Sequence, residues 1–427
     1  MEFPSAETFT GVLPDFELPT FVDAHYTPQT PILEDPATVA ENAIHDLPLN
    51  RVPQGGTIAI GLGSRGIHDI VPIASRIIET LHEAGYTPIV VPAMGSHGGA
   101  TAEGQRRTLA ELGLSADRLG CRIDASMETT VIGETPNGEP VHFATAALSA
   151  DGIVVVNRVK PHTNFTGRFE SGLVKMSTVG LGKQAGAQTI HNRALVTGYV
   201  ETLERAFSVV REQTPLLGGV AVVENFEDRT AAVESLRATA LPDGETSLLE
   251  HAAEQMPTLP YDDLDVLVVE KIGKDISGAG MDTNVIGRYQ VLNAEDPETP
   301  DIDRIVVLGL TESTHGNGQG IGLADITTRS VVEQLDFDQM YTNALTSSSL
   351  SKARLPVVLP DEEHAVRAAL STVGPYDPET IRIAWIRSTD QLSSFHVSPV
   401  LADESPADVQ TGGTATLRFD NGNVRFV

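Results

Sequence analysis

Two short apolar runs separated by a helical pattern confine the first half of this chain to a parallel sheet. TIAIGL at 57 to 62 runs into a glycine-rich turn. IVPIASRIIETLHEAG at 70 to 85 spaces its apolar residues three and four apart and stops at Gly85, and YTPIVVPAM at 86 to 94 is a second apolar run. Strand, helix and strand of these lengths form a βαβ unit, whose crossover puts the loops after both strands on one edge of the sheet. A helix near 102 to 113 and the strand DGIVVVNRV at 151 to 159 extend it, followed by helical patterns at 193 to 212 and a strand at 218 to 226.

A second series begins beyond the Pro-flanked segment 254 to 263. DVLVVEKIG (265 to 273), RIVVLGL (304 to 310), LPVVLP (355 to 360) and IRIAWI (381 to 386) read as strands, and ADITTRSVVEQL (324 to 335) and DEEHAVRAALSTVG (361 to 374) as helices. TATLRFDNGNVRFV at the end carries Asn-Gly between alternating runs and reads as a β-hairpin. The first 50 or so residues, rich in Pro, Asp and Glu, read as an irregular arm or edge strands. The expectation is an α/β protein of two α/β domains, residues 1–260 and 261–427, with a cleft between them as the usual place for a small-molecule site.

Charge narrows the function. With 58 acidic against 29 basic residues the formal net charge is -29, which favours a setting where salt screens self-repulsion, a halophilic cytoplasm. No basic cluster is present to displace counterions from nucleic acid or to bind an anionic membrane. Neither a leader-like apolar segment after a basic start nor a run of about 18 apolar residues occurs. The one cysteine, Cys121, rules out an internal disulfide and any thiolate-rich metal site. A metal must rely on His, carboxylate or atoms of a cofactor.

Within that frame one stretch stands out. The chain has six lysines against 23 arginines, and Lys160, Lys175 and Lys183 all fall in NRVKPHTNFTGRFESGLVKMSTVGLGKQAGAQTIHN at 157 to 192, together with His162 and His191. A lysine kept on so acidic a surface is held by function or by packing. A buried lysine amine is a nucleophile toward carbonyl or thiocarbonyl carbon. Two other loops share the sheet edge. Gly61-Leu62-Gly63-Ser64-Arg65-Gly66 offers backbone N–H groups and a guanidinium to an anion, and Met94-Gly95-Ser96-His97-Gly98-Gly99 presents a histidine among glycines, suited to acid or base work. In the second domain Lys271 lies at the end of the strand at 265 to 273 and Lys274 just after it, where an ammonium can meet a carboxylate.

Taken together these loops resemble the nickel-dependent lactate racemase family over roughly residues 55 to 290. The likeness rests on the Arg-bearing first loop, the Gly-Ser-His-Gly-Gly second loop, Lys160-Pro161-His162 followed by Lys175, and Ile190-His191. The first loop lacks the family's paired aspartates and Thr-Arg-Pro, and Ser171-Gly172 replaces its glycine pair, so the chain reads as a divergent branch. The resemblance implies a nickel-pincer nucleotide, a pyridinium mononucleotide with two thio-acid arms, joined to Lys175. Its nickel would be held by cofactor carbon and sulfur and by His191. It further implies Ser64 and Gly172 beside the cofactor, His97 and His162 as acid and base, and Arg65 with Lys274 on the substrate carboxylate. The activity so implied is racemisation or epimerisation of a small 2-hydroxy acid by reversible hydride transfer. Alternatives are epimerisation of a sugar acid on the same cofactor, or binding of a phosphate or sugar acid without catalysis.

Overall fold

A computed structural model describes residues 3–64, 66–292 and 294–427, the side chain of Thr346 excepted. The chain forms two α/β units. One comprises Thr30–His162 and Thr166–Met256; the other takes the chain up to Gln29, Thr163–Phe165 and Pro257–Val427.

The first unit is built on a six-stranded sheet. Its spatial order is Arg122–Ile123, Thr87–Pro92, Thr57–Leu62, Gly152–Arg158, Leu216–Glu224 and Thr230–Arg237, parallel throughout except for the last pair. Ile58, Ile60 and Leu62 on one face and Ala59 and Gly61 on the other are all buried, as a strand covered on both faces requires. The helix Ile70–Glu83 buries Ile70, Ile73, Ala74, Ile77, Ile78 and Leu81, the stripe that its spacing predicts. The expected helix near 102 to 113 spans Ala102–Glu111, with Thr101 capping Gly104 N–H at 3.0 Å. The helical pattern at 193 to 212 is two helices, Lys183–Thr197 and Tyr199–Gln213, broken at Gly198, whose φ is +80°. Unannounced by the sequence patterns are the helix Pro36–His45 and a separate hairpin, Thr129–Glu134 with Pro140–Ala144.

Chain order and spatial order together mark one place in this sheet. From Thr57–Leu62 the chain builds outward to Thr87–Pro92 and Arg122–Ile123, then returns to lay Gly152–Arg158 on the other flank. The loops leaving those two adjacent strands part in opposite directions, which opens the crevice where doubly wound sheets bind ligands. The loops are the Gly61–Gly66 turn and the lysine-rich stretch.

The second unit holds a nine-stranded sheet, ordered Val357–Leu359, Ile326–Thr328, Asp301–Val307, Asp263–Val269, Ile383–Ile386, Ser394–Val397, Thr20–Tyr26, Val409–Asp420 and Asn423–Phe426. The first five are parallel and the rest antiparallel. Two sequence expectations are corrected here. Residues 324 to 335 are not one helix: Ile326-Thr327-Thr328 is a fully buried strand and only Arg329–Val332 is helical. Three β-branched residues in a row fit a sheet position better than a helix, and tertiary pairing overrides the longer periodicity. The start of the chain is not an irregular arm either, because Thr20–Tyr26 is an interior strand between Ser394–Val397 and Val409–Asp420. The terminal hairpin turns at Asn421-Gly422, with φ of +52° and +82°, as Asn-Gly favours. Here too a switch point lies between Asp263–Val269 and Ile383–Ile386, and Lys274 is in the loop that leaves the first of these.

Ile60 sits in the middle of the first sheet with no exposed surface. Ile60→Ala is expected to lower the unfolding free energy by about 2–5 kcal/mol, read from urea titration; a loss under about 1 kcal/mol would show that the strand's core face is less well packed than its burial indicates.

Candidate functional site

Three loops leave adjacent strands of the first unit on one edge, and polar contacts tie each to the next. Ser64 Oγ lies 2.5 Å from His97 Nδ1, joining the first loop to the second. Gly63 allows the first loop to lie flat, since a Cβ there would come within 2.7 Å of Asn157 Oδ1. The second loop meets the lysine-rich stretch through Gly95 N–H, which donates to Gly180 O at 3.0 Å.

Beneath that junction is a lysine with no exposed surface. Lys183 Nζ donates to Pro92 O at 2.8 Å and to Gln105 Oε1 at 3.0 Å, while Gln105 Nε2 donates to Gly95 O at 3.0 Å. Burial lowers the Lys183 amine to about 8. The residue also has φ +54°, a strained conformation for a residue with a side chain. Lys183 is thus a buried strut that fixes the His97 loop from below, its amine spent on protein acceptors.

The stretch itself is closed at its base by a pair of backbone bonds, Lys160 N–H to Ser171 O at 3.0 Å and Ser171 N–H to Lys160 O at 3.2 Å. Inside the loop the buried Glu170 accepts from His162 N–H at 2.5 Å and from Gly167 N–H at 2.9 Å. Burial pushes its carboxyl to about 7, opposed by those two bonds and by the charge of Lys175. After Gly172 the backbone turns helical at Leu173–Lys175, passes through a π turn at Met176–Gly180 and continues as Lys183–Thr197, which carries His191. Single π turns recur at functional sites, and this one directly follows Lys175.

Tyr199, first residue of the next helix, has its ring 6.4 Å from that of His162 and 6.1 Å from that of His191. His191 is surface-exposed, yet crowding protein atoms and then the Lys175 charge lower its pKa to about 4. The imidazole is thereby held toward its neutral form.

The structure therefore brings Ser64 and His97 together, and separately groups His162, Tyr199, His191 and Lys175 with Glu170, all along one sheet edge. Arg65 lies outside the described residues. Lys274 belongs to the other unit, where its Nζ donates to Gly278 O at 2.5 Å and its backbone N–H to Thr314 Oγ1 at 3.1 Å. Tyr199, Glu245, Gln105 and the anchoring role of Lys183 escape the sequence reading, since none lies in a recognisable motif. A hollow of about 420 Å³ lined by Thr135, Glu139, His142, Ile190, Arg193 and Arg205 borders the lysine-rich stretch at Thr178, Gly186, Thr189 and Ile190 but is lined by none of Ser64, His97, His162, Lys175 and His191. Its arginines face carboxylates already, Arg193 with Glu139 at 3.0 Å and Arg205 with Glu201.

Residues 66–202, from the first loop through Tyr199, match the family of the lactate racemase N-terminal domain. Over that segment, the chain is similar to the lactate racemase family. Its fold is similar to the lactate racemase apoprotein of Thermoanaerobacterium thermosaccharolyticum, with TM-score 0.53 at 12% identity over 87% of this chain and 99% of that one. It is also similar to a protein of Thermotoga maritima, with TM-score 0.51 at 13% identity over 86% and 99% of the two chains. At such identities the likeness is one of fold. No curated protein matches the chain by sequence. Among the described residues no helix is long and apolar enough to cross a membrane.

The buried ionisable groups of this unit give a pH signature. Glu170 and Glu245, both raised from 4.5 to about 7, keep their protons in the folded chain where the unfolded chain has released them, so the stability they contribute declines as pH rises from about 4.5 to about 7. Lys183, lowered from 10.5 to about 8, works in the opposite sense, and its contribution grows only as pH rises from about 8 to 10.5. Glu245→Gln is expected to gain stability over wild type between pH 5 and pH 8, by roughly 3 kcal/mol at most, measured as the difference of urea unfolding free energies at the two values. A difference that does not change with pH would mean that Glu245 is ionised throughout.

Proposed function

We propose that this protein is a racemase or epimerase of a small 2-hydroxy acid that works on a nickel-pincer nucleotide joined to Lys175. The observation that carries the reading is the pairing of one lysine with one imidazole held neutral: Lys175 acts electrostatically on His191, and His191 is both reachable and poor at holding a proton. A metal needs the neutral imidazole. Among the described residues no three or more of His, Cys, Asp and Glu gather to hold an ion. A metal at His191 would thus take most of its donors from a cofactor, which the residues present fit and which a soft sulfur-bearing group provides.

When bound, such a cofactor supplies a reversible two-electron acceptor for the hydrogen on the substrate's C2. The protein's own residues manage protons and position. The Ser64 hydroxyl pins His97 through Nδ1, and the imidazole so held takes or returns the substrate hydroxyl proton. Glu170 pins the backbone of His162, the second base, so that each enantiomer has an imidazole for its hydroxyl. Ser64 and Gly172 lie beside the cofactor in this reading, and the Arg65 guanidinium serves the substrate carboxylate. The small, charged substrate and the acidic surface suit a salt-rich cytoplasm.

His97→Ala and His162→Ala should each lower racemisation of the native substrate by about 10²–10⁴-fold while leaving the Lys175 adduct intact, followed by chiral analysis of a panel of single-enantiomer 2-hydroxy acids and by peptide mass. His191→Ala should keep the adduct and lose nickel. Protein purified from its own cells with an unmodified Lys175 and no nickel would end the reading.

A further inference from the structure

We infer that Glu245 is the positioning residue for Lys175, fixing from a helix 70 positions downstream the turn that presents the amine. This rests on the reading above, in which Lys175 carries the cofactor. Glu245 opens the helix Asp243–Gln255 and has no exposed surface. Its Oε2 accepts from Leu173 N–H at 2.7 Å and Val174 N–H at 3.0 Å, the two backbone amides immediately before Lys175. Those amides begin a helical turn and have no partner within it. A neighbouring Ser, Thr or Asp usually satisfies such groups, but the residue in that place is Gly172.

Glycine is required there because of the carboxyl. The φ of 173° at Gly172 suits any residue, but a Cβ would sit 2.4 Å from Glu245 Oε1. The chain has thus given up a local cap for a remote one. The arrangement is costly, since Oε1 is buried without a hydrogen-bond partner, and burial pushes the carboxyl to about 7. Ordinary capping needs neither the burial nor the orphaned oxygen. What the remote carboxyl adds is a clamp across two elements: Leu173 to Lys175 are tied to Asp243–Gln255, and the π turn that follows hangs from the same point through Met176 N–H to Gly172 O at 3.1 Å.

The test compares full-length wild type, Glu245→Ala and Glu245→Gln, each purified from the native host and checked for folding by circular dichroism. Gln keeps an oxygen for both amides; Ala does not. In Glu245→Ala, amide exchange at Leu173 and Val174 should quicken at least tenfold and the fraction of chains with an adduct on the Lys175 peptide should fall at least tenfold. Glu245→Gln should restore both to within about threefold of wild type. If folded Glu245→Ala carries as much adduct as a modified wild type, the positioning role is refuted and the cofactor reading stands. If wild type itself carries none, the cofactor reading fails and takes this inference with it.

Discussion

Polar backbone groups stranded where a parallel sheet ends must find partners, and in the first unit buried ionisable side chains provide them. Glu170 takes two amides inside the lysine-rich loop, Glu245 takes two at the turn before Lys175, and Lys183 takes the carbonyl at the end of Thr87–Pro92. Each replaces water that a looser loop would need. The result is a set of loops whose backbones are held at named points, which is what a site for an exacting ligand demands. Lining the edge with glycine and mobile loop would leave His97 and Lys175 without defined positions.

Burial of those groups has a shared consequence. Removing a carboxyl or an ammonium from water favours its neutral form, so Glu170, Glu245 and Lys183 are all displaced toward the range from about 7 to 8. A chain assembled only for stability would replace them with apolar residues of similar size, because hydrogen-bonded buried charge is seldom a net gain. Their retention where three loops meet, with an unpartnered oxygen on Glu245, fits the pattern in which local rules are broken at functional sites and made good by the surrounding fold.

How far the sequence discloses this depends on the range of the interaction. Thr57–Leu62, Ile70–Glu83 and Thr87–Pro92 are legible because burial writes a period into consecutive residues, and Asn421-Gly422 because a turn type demands it. Thr20–Tyr26 is not legible, since its neighbours in the sheet lie almost 400 residues away and only pairing makes it a strand. The site divides in the same way. Ser64, His97, His162, Lys175 and His191 lie in loops whose composition marks them, whereas Tyr199 and Glu245 reach those loops from helices with ordinary sequences.

Lysine scarcity shows why a single compositional signal divides into different physical causes. Lys183 and Lys352 are both almost wholly buried; Lys352 donates to Thr163 O at 3.3 Å and Asn164 Oδ1 at 2.7 Å within the second unit. Burial lowers both amines to about 8. These two persist because a long chain with a compact head reaches several carbonyl or amide oxygens in a buried space, a task the broad guanidinium plane of arginine does not fit. Lys175 differs in being only partly buried, with its charge felt by Glu170 on one side and His191 on the other. Among the three, it alone combines access with neighbours that respond to its charge, and that combination, more than rarity, is the physical ground on which the proposed reading selects it.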